Sequence, residues 1–528
     1  MKATVLRAVS GWSWELTGKR FLAEVPRETA GCEERKWTTI STTTAPTTLR
    51  TARTARTAAT RTRTRTRTTR IRARTRTTIR ARTRTTRTTT TKFFLVIGTL
   101  PKCPYLHRMH IAWKIQDRWG SETMKQRKHG TEGSSGPYRH EGAGGRMRKF
   151  ELIVPCHFGM EAVLKREIND LGYEITEVVD GRVTFAGDEA ALCRANIFLR
   201  SAERVLIKVG SFPAETFEEL FEGTKHLPWE EYIPADGRFW VTKAASVKSK
   251  LFSPSDIQSI VKKAMVERLK ESCHTDWFPE DGADYPVRVF LMKDQVTVGL
   301  DSTGVSLHKR GYRKLVAQAP IAENLAAAMI MLTPWNGERI LVDPFCGSGT
   351  IPIEAAMMAA HMAPGIDRDF TAEDWRHVIG KGLWQAAQEE AEDMVDLHVE
   401  TDIQGYDIDD HMVEIARDNA RRAGVEKLIH FQRRDVKELS HPKKYGFLIT
   451  NPPYGERLHD KEEMPALYRT IGERFRLLDT WSMYLISAYE NAEKDIGRKA
   501  DKNRKIYNGM MKAYYYQFLG PKPPKSRG

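Results

Sequence analysis

A doubly wound α/β fold is predicted for the C-terminal part of this 528-residue chain, after two smaller α/β units and a disordered N-terminal tail. After residue 306, apolar strands at residues 339–342, 403–406 and 447–450 alternate with helical runs, the pattern of a parallel sheet covered by helices. A polar or glycine-rich segment follows each of these strands directly. Because ligands of such folds bind at the carboxyl ends of the strands, we expect the functional site in these segments.

The tail comprises residues 1–146 and differs from the rest of the chain in charge. It holds 32 Lys and Arg against 9 Asp and Glu, whereas residues 147–528 hold 52 against 59. The net charge of +16 therefore combines +23 in the tail with −7 elsewhere, so it does not by itself indicate nucleic-acid binding by the folded part. Residues 38–91 are almost entirely Thr and Arg and have almost nothing apolar to bury, which predicts disorder.

Three interpretations of this tail are open. It fits a nonspecific RNA-binding arm, an organelle-type presequence, or sequence translated upstream of the native start. We favour the last, because patterned sequence begins at Met147, directly after a glycine-rich linker at residues 130–145. On this interpretation, residues 1–146 are not part of the native protein.

Cysteine usage and hydropathy exclude several classes of protein. The six cysteines are scattered without a CxxC pair, which argues against a disulfide framework and against a zinc site. The apolar run at residues 93–100 is far shorter than the roughly 20 residues that span a bilayer. The N-terminus also lacks a secretory pattern. We therefore expect a cytoplasmic protein with no metal and no membrane partner.

Two small α/β units are predicted between the tail and the doubly wound part. The first, residues 147–200, has a strand at 150–154, a helix at 159–171 and a hairpin around Asp180-Gly181. The second, residues 201–305, has strands at 239–242, 287–292 and 295–300 and a helix at 256–269 that Ser253 or Ser255 could cap.

The second unit also carries what we take as the densest basic cluster of the acidic body. Its members are Lys243, Lys248, Lys250, Lys262 and Lys263. The first four are our candidates for contacts with RNA, although a solvated helix face explains such a cluster about as well.

The first candidate site segment joins the strand at 339–342 to a helical run, and it consists of Asp343-Pro344-Phe345-Cys346-Gly347-Ser348-Gly349-Thr350. Gly347 and Gly349 allow a ligand to approach the backbone closely. A carboxylate at the strand end suits a cationic amine better than a pyrophosphate, so a methionine-type ammonium fits. An ordinary strand-to-helix turn is the alternative, because two glycines alone are weak evidence.

Acidic residues end the next two strands. Asp407 could accept both hydrogen bonds of a ribose diol, a role that acids also have in dinucleotide-binding folds, so a nicotinamide enzyme is a rival hypothesis. Asp409 is better explained as a helix cap. Asp435 follows the next apparent strand and could accept a hydrogen bond from an adenine amino group.

The most specific segment is the loop Asn451-Pro452-Pro453-Tyr454, at the end of the buried strand at 447–450. The two prolines fix the backbone and remove two donors. Carbonyl oxygens of such a loop, together with the Asn451 amide oxygen, can accept both hydrogens of a planar amino group and make its nitrogen more nucleophilic. Tyr454 offers a face on which a flipped base can stack. A rigid turn would explain the prolines but not the whole combination.

These segments, in this order, resemble the motifs of class I S-adenosylmethionine-dependent methyltransferases that modify exocyclic amino groups. More narrowly, residues 308–313, 319–327 and 505–510 resemble the THUMP-containing ribosomal RNA guanine-N2 methyltransferases, and the resemblance covers roughly residues 148–525. It implies a ferredoxin-like segment at 147–200, a THUMP RNA-binding domain at 201–305 and a Rossmann-like methyltransferase domain at 306–528. A second methyltransferase module, present in some members, is not expected.

The same resemblance implies roles for individual residues. S-adenosylmethionine would be held through its methionine portion by Asp343, Gly347 and Gly349, with Phe345 and Thr350 in the same site. Asp407 would hold the ribose and Asp435 the adenine, while Asn451 and Tyr454 would hold the target base.

The implied reaction is methylation of N2 of a guanine in 23S ribosomal RNA. Alternatives with the same chemistry are a transfer-RNA guanine-N2 enzyme and an adenine-N6 enzyme. From other classes we keep a noncatalytic RNA-binding ribosome assembly factor, a thiouridine-forming enzyme and a nicotinamide oxidoreductase. The missing pyrophosphate loop counts against thiolation, and the Asn451–Tyr454 loop counts against the oxidoreductase.

Overall fold

The computed structural model describes residues 148–313, 321–455, 460–508 and 511–524, together with three short strands near the N-terminus. These strands are β1 (Leu6–Arg7), β2 (Ser13–Thr17) and β3 (Arg20–Glu24), which form an antiparallel sheet within the compact unit Met1–Gly136. These strands were not predicted from the sequence. The Thr/Arg tract, the expected start at Met147 and the disorder predicted for residues 38–91 lie outside the described residues.

The second compact unit, Pro137–Gly528, begins with a single seven-stranded sheet. Its strands are β4 (Lys149–Pro155), β5 (Glu174–Val179), β6 (Arg182–Asp188), β7 (Leu206–Pro213), β8 (Arg238–Val247), β9 (Asp284–Met292) and β10 (Gln295–Asp301). Its helices are α1 (Glu161–Asp170), α2 (Glu189–Phe198), α3 (Phe217–Lys225) and α4 (Pro254–Cys273). The strand order β5-β6-β4-β7-β10-β9-β8 joins the two predicted small units through β7, so they share one continuous sheet.

Local predictions in this part hold with one exception. The hairpin around Asp180-Gly181 is present, with β5 and β6 antiparallel and Gly181 at φ 76°. Ser253 occupies the position before α4, as predicted, but its hydroxyl makes no capping bond to the helix. It lies instead 3.2 Å from the hydroxyl oxygen of Ser255. Pro254 begins the helix, and its fixed φ is already suited to the first helical position.

The doubly wound prediction is confirmed by the second seven-stranded sheet. Its strands are β11 (Leu341–Asp343), β12 (Ile403–Asp407), β13 (Ile429–Arg433), β14 (Phe447–Thr450), β15 (Ser482–Ser487), β16 (Lys502–Asn508) and β17 (Met511–Phe518). Its helices are α5 (Glu323–Met331), α6 (Thr350–Ala359), α7 (Leu383–Asp393), α8 (Asp410–Arg422), α9 (Asp460–Leu477) and α10 (Ala492–Ile496). The strand order is β13-β12-β11-β14-β15-β17-β16, and only β17 runs antiparallel to the other six strands.

The segment between α6 and β12 packs against the first sheet and its helices. Trp375 is fully buried there, stacks on Tyr285 with the ring centroids 5.3 Å apart, and donates from its ring nitrogen to the Asp284 carbonyl oxygen at 2.8 Å. On α7, Glu390 accepts two hydrogen bonds of 2.8 Å from Arg194 of α2. These contacts hold the two sheets in a fixed relation, so the position of one determines the position of the other.

A buried ion pair reinforces this junction. The side chains of Arg310 and Glu354 are 1% and 0% exposed, and their closest nitrogen and oxygen lie 3.3 Å apart. The same guanidinium donates to the carbonyl oxygens of Leu307 and Arg200, and Tyr312 donates its hydroxyl to Glu354. Residues 308–313, which carried part of the family resemblance, thus connect the two sheets. Residues 319–320 and 509–510 of the other two segments lie outside the described residues.

Candidate active site

Four strand ends come together at the carboxyl edge of the second sheet. Asp343, Asp407 and Thr450 end β11, β12 and β14, and Asp435 follows β13 by two residues. The parallel register aligns these ends, because Asp343 lies opposite Gly405 and Asp407 lies opposite Arg433. The residues predicted at separate points of the sequence therefore border one surface.

The loop after β11 has the backbone geometry that the glycines predicted. Gly347 and Gly349 adopt positive φ angles of 51° and 84°. No atom lies within 4 Å of the point where a Cβ of Gly347 would stand, so this part of the loop borders open space. Gly349 instead packs against Ala416, where an added Cβ would come within 3.0 Å of that side chain. Gly347 thus leaves room for a ligand, whereas Gly349 allows the helix behind the loop to pack closely.

Asp343 is buried and is held by two hydrogen bonds. Its carboxylate accepts from the Phe345 backbone nitrogen at 3.1 Å and from the Thr450 hydroxyl at 2.6 Å. Burial raises the pKa of Asp343 to about 7, the two hydrogen bonds oppose this shift, and the nearby Asp407 charge adds to it. The protein interior disfavours the charged form of this carboxylate. A positively charged group of a ligand would offset that cost and so interact strongly with it.

Asp407 sits at the tip of β12 and contacts the glycine loop. Its two oxygens accept from the backbone nitrogens of Gly347 and Asp409, each at 3.0 Å, and burial raises the pKa of Asp407. The carboxylate keeps lone-pair capacity for a ligand. The next residue, Ile408, is 61% exposed and gives this edge an apolar surface beside the acid. Asp409 caps α8 by accepting from the His411 nitrogen at 3.0 Å, which confirms the capping prediction.

The remaining predicted cofactor residues have partners within the chain. Asp435 accepts from the Lys437 backbone nitrogen at 2.9 Å and so starts the short turn at Val436–Glu438. Thr350 is buried, and its hydroxyl accepts a hydrogen bond from Arg313 at 3.0 Å. Phe345 is partly buried against the core between the sheet and α9.

Acceptor groups of this kind fit S-adenosylmethionine. Its ammonium and ribose hydroxyls are donors, which match the carboxylates of Asp343 and Asp407, and its chain can lie against the open backbone of Gly347. The carboxylate at the end of β11 would repel a pyrophosphate, so this donor and acceptor set fits a nicotinamide dinucleotide poorly.

The loop Asn451-Pro452-Pro453-Tyr454 leaves β14 beside the glycine loop. Asn451 and Tyr454 are partly exposed, whereas Pro452 is buried. The Tyr454 hydroxyl donates to the Asn451 amide oxygen at 2.5 Å. Because an amide oxygen has two lone pairs, one acceptor site of Asn451 remains for a substrate. Residues 456–459, which follow the loop, lie outside the described residues.

Two positioning groups of this loop were missed by the sequence analysis. Tyr468 of α9 is fully buried, and its hydroxyl donates to the Pro453 carbonyl oxygen at 3.2 Å and lies 2.6 Å from the Ser487 hydroxyl oxygen. Thr450 links the loop to the glycine segment through its bond to Asp343. A tyrosine in an otherwise amphipathic helix gave no local signal, because its partners lie 15 and 19 residues away.

The lysines predicted to contact RNA fall into two groups. Lys250 forms an ion pair with Glu215, and Lys262 donates to the Phe239 carbonyl oxygen while lying 3.7 Å from the centre of the Phe239 ring. Lys243 and Lys248 are exposed, and among the described residues neither forms an ion pair. The prediction that this cluster is the densest basic one is wrong, since residues 498–512 hold six Lys and Arg against one Asp.

The described part of the chain gives no indication of a membrane span or of a metal site. No helix there is long and apolar enough to cross a membrane. No group of three or more His, Cys, Asp or Glu side chains in the same residues is arranged to hold a metal ion.

Comparison with known families gives three matches along the chain. Residues 151–206 match the RlmL ferredoxin-like domain, residues 214–301 match the THUMP domain, and residues 310–517 match the RMKL-like methyltransferase domain. The order of these three domains is the order that the sequence resemblance implied.

Individual relatives agree with these matches. The Bacillus subtilis protein YpsC, provisionally named an RNA methyltransferase, is 48% identical over 72% of this chain and 99% of its own length. The "Ribosomal RNA large subunit methyltransferase K/L" of Psychromonas ingrahamii is 34% identical over 70% of this chain, which spans only 50% of that protein. The crystal structure of SMU.472, provisionally named a methyltransferase and solved with S-adenosylhomocysteine, has a TM-score of 0.67 and 44% identity over 72% of this chain and all of its own.

Proposed function

We propose a substrate and a target atom for this chain, which belongs to the family of THUMP-containing, RlmL-like RNA methyltransferases and uses S-adenosylmethionine. The proposed reaction is methyl transfer to the exocyclic N2 of a guanine in 23S ribosomal RNA. The observation that carries it is the Asn451–Tyr454 loop, which lies beside a cofactor-type glycine loop at one sheet edge and offers oxygen acceptors to an amino group. With ribosomal RNA as substrate, we propose a cytoplasmic location for the enzyme.

The cofactor would be held by the groups at the ends of β11, β12 and β13. When bound, S-adenosylmethionine supplies an activated methyl group. We assign its ammonium to the side of Asp343, its ribose to Asp407 and its adenine to Asp435, with Ile408 offering an apolar contact. Gly347 leaves the space for the chain of the cofactor, while Gly349, Phe345 and the backbone of Thr350 shape the wall of the site.

The catalytic loop would orient the target amino group. The free lone pair of the Asn451 amide oxygen and a carbonyl oxygen of Pro452 or Pro453 accept its two hydrogens, which keeps the nitrogen lone pair available for in-line attack. Tyr454 stacks on the flipped base, for which stacking of about 1–3 kcal/mol per base is typical. Transfer of the methyl group would release S-adenosylhomocysteine and leave a positively charged, acidic nitrogen, whose proton passes to water.

The Lys243 and Lys248 side chains would contribute phosphate contacts from the THUMP domain. Both are exposed, and they lie on or directly after the edge strand β8. Lys250 and Lys262 were part of the same prediction, and we assign them a smaller share because each already has a partner within the chain.

The choice of ribosomal RNA rests on the family, in which relatives are named for the large ribosomal subunit. Two alternatives keep the methyltransferase chemistry: transfer RNA as the substrate, or adenine N6 as the target atom. A third alternative is a ribosome assembly factor without catalytic activity. Incubation of the full chain with labelled S-adenosylmethionine and either 23S ribosomal RNA or transfer RNA, followed by nucleoside mass spectrometry, distinguishes them. We expect N2-methylguanosine from ribosomal RNA alone.

A matched variant tests the role of the loop. Asn451→Ala should lower kcat at least about 100-fold, the range seen when one positioned polar group is removed from an active site, with cofactor affinity retained. Loss of cofactor affinity in this variant would show that Asn451 belongs to the cofactor site instead. N6-methyladenosine as the product would refute the guanine assignment.

A further inference from the structure

The last hairpin of the chain carries a surface that the proposed function has not used. We define the lysine–tyrosine surface as Lys505 and Tyr507 of β16 and Lys512 and Tyr514 of β17, extended by Phe158. In the antiparallel register, Lys505 lies opposite Tyr514 and Tyr507 lies opposite Lys512. Residues directly opposite one another, and residues two apart on one strand, point to the same face of a sheet. The four hairpin side chains therefore share one face.

Each lysine on this surface lies over an aromatic ring. The Lys505 ammonium is 5.2 Å from the centre of the Tyr507 ring, and the Lys512 ammonium is 5.1 Å from the centre of the Tyr514 ring. Both lysines are exposed, and both tyrosines are partly exposed. Neither lysine has an ion-pair partner in the part of the chain that the structure describes. The positive charges are thus available to an external anion.

The hairpin is anchored to the first sheet by the loop that contains Phe158. Arg504 donates to the Gly159 carbonyl oxygen at 2.6 Å. Gly159 has a φ of 88°, and a Cβ there would come within 2.7 Å of the Lys505 carbonyl oxygen, so glycine is needed for this contact. Phe158 meets Tyr507 edge to face, with centroids 5.9 Å apart, and remains 41% exposed. The contact thus places two aromatic rings next to each other, with the edge of one against the face of the other.

The surface begins next to the catalytic loop. Tyr514 lies opposite Ser487, which ends β15 at the same carboxyl edge as Asn451. Ser487 contacts the Tyr468 hydroxyl that holds the Pro453 carbonyl. A nucleotide chain whose target base occupies the catalytic loop would therefore continue toward Tyr514 and then toward Tyr507 and Phe158.

Charge supports an anionic partner. Residues 498–512 carry six Lys and Arg against one Asp, although residues 147–528 together carry −7. Lysines interleaved with exposed aromatic rings are the combination that binds single-stranded nucleic acid, since phosphates pair with the ammonium groups and unpaired bases stack on the rings.

We propose that the lysine–tyrosine surface binds the unpaired nucleotides that adjoin the target base. This inference rests on the proposed function for the identity of the ligand as RNA, and it adds where that RNA runs and in what form it is recognised. The surface would favour unpaired over duplex RNA, because stacked rings reach only bases that are free of a partner.

The first test measures phosphate contacts in the full chain. Affinity for a labelled, unstructured polyuridylate oligonucleotide is measured over a range of salt concentrations for the wild type and for Lys505→Ala/Lys512→Ala. Each phosphate contact with a single strand contributes about 0.7 to the slope of log affinity against log salt, so the double variant should lower the slope by about 1.4. The control is Lys427→Ala/Lys444→Ala, which removes the same charge from exposed residues that precede β13 and β14, at the opposite edge of the sheet.

The second test measures stacking. Tyr507→Ala should weaken polyuridylate binding by about 5- to 150-fold, the range expected for loss of one stacked base, whereas Tyr507→Phe should keep it. A melting curve of Tyr507→Ala shows whether the fold is retained, and Phe158→Ala provides an independent variant of the same surface. A double-stranded RNA of equal charge should bind equally to all of these variants.

The outcomes separate this inference from the proposed function. If the wild type methylates ribosomal RNA but all hairpin variants keep the wild-type oligonucleotide affinity and salt slope, the inference is wrong. The surface would then be a candidate binding site for a protein. If both lysine pairs change the slope equally, the effect is general electrostatics, which also overturns it. If the hairpin variants lose oligonucleotide binding while no RNA is methylated by the wild type, the surface stands and the proposed reaction fails.

Discussion

Tyr468→Phe removes a single hydroxyl that lies behind the catalytic loop, and we expect it to separate loop position from cofactor binding. In the wild type this hydroxyl donates to the Pro453 carbonyl oxygen at 3.2 Å and lies 2.6 Å from the Ser487 hydroxyl oxygen. Ser487 is fully buried but keeps the hydrogen bond from the Tyr489 nitrogen at 3.0 Å, and Pro453 is exposed enough to bond to water. Neither partner is left wholly unpaired.

The expected loss of stability follows from these two hydrogen bonds of the Tyr468 hydroxyl. A typical net contribution is about 0.5–1.5 kcal/mol per hydrogen bond, so two bonds with partial compensation give about 1–2 kcal/mol. The functional loss should be larger, because a loop shifted by about 1 Å can lower the rate by up to about 100-fold. We therefore expect kcat to fall about 10- to 100-fold, with the affinity for S-adenosylmethionine unchanged.

Urea unfolding measures the loss of stability. The rate of methyl transfer to ribosomal RNA gives kcat, and calorimetric titration gives the affinity for S-adenosylmethionine. Tyr489→Phe is the matched control. The ring centroids of Tyr489 and Tyr468 lie 4.8 Å apart, but the Tyr489 hydroxyl bonds to Asp495 and not to the loop. Wild-type kcat in Tyr468→Phe, or an equal loss in Tyr489→Phe, would show that Tyr468 does not position the loop.

Three further predictions concern the cofactor site, the junction and the THUMP surface. The pKa of Asp343 is raised to about 7 by burial, so its contribution to the stability of the free protein is complete below its unfolded value near 4 and is lost as pH rises through 7. Binding of the cofactor ammonium favours the charged carboxylate, so cofactor affinity by calorimetry should weaken up to about tenfold per unit below pH 7, and Asp343→Asn should flatten this dependence. Arg310→Met leaves the Glu354 carboxylate buried without its cation and should lower the free energy of unfolding in urea by about 3–5 kcal/mol, whereas an unchanged value would mean that water replaces the pair. Lys243→Ala/Lys248→Ala should lower the salt slope of ribosomal RNA binding by about 1.4–1.8, and an unchanged slope would remove these lysines from the RNA surface.

Much of the second sheet could be predicted from sequence because its strands are short, apolar and followed by distinctive loops. The strand at 447–450 agrees with β14 residue for residue, and the one at 403–406 differs from β12 by a single residue. The strand at 339–342 is placed two residues too early, since β11 pairs with its neighbours only from Leu341. Local hydrophobicity defines the strand, but pairing with β12 and β14 decides where it begins.

The joining of the two small units was not predictable in this way. Nothing in the pattern of β7 reveals that it pairs with both β4 and β10 and so merges two units into one sheet. The segment between α6 and β12 likewise gave no sign that Trp375 would be buried against Tyr285, 90 residues earlier in the sequence. Such contacts depend on tertiary packing between distant segments, which periodicity does not encode.

The same distinction applies to the site. Asp343 and Asp407 end strands, and the loop Asn451–Tyr454 follows one directly, so their convergence could be predicted from topology alone. Tyr468 and Thr450 act through hydrogen bonds that require coordinates. The lysines of the THUMP domain show the limit of counting charges, because Lys250 and Lys262 already have partners while the more basic hairpin at residues 498–512 was overlooked.

We propose that this chain methylates N2 of a guanine in ribosomal RNA through the Asn451–Tyr454 loop. The most direct test is nucleoside mass spectrometry of ribosomal and transfer RNA from a strain that lacks the gene, complemented either with the wild-type chain or with Asn451→Ala. We predict that N2-methylguanosine decreases in 23S ribosomal RNA of the deletion strain and returns only with the wild-type chain. Unchanged N2-methylguanosine in that RNA would contradict the substrate assignment, and full restoration by Asn451→Ala would contradict the role of the loop.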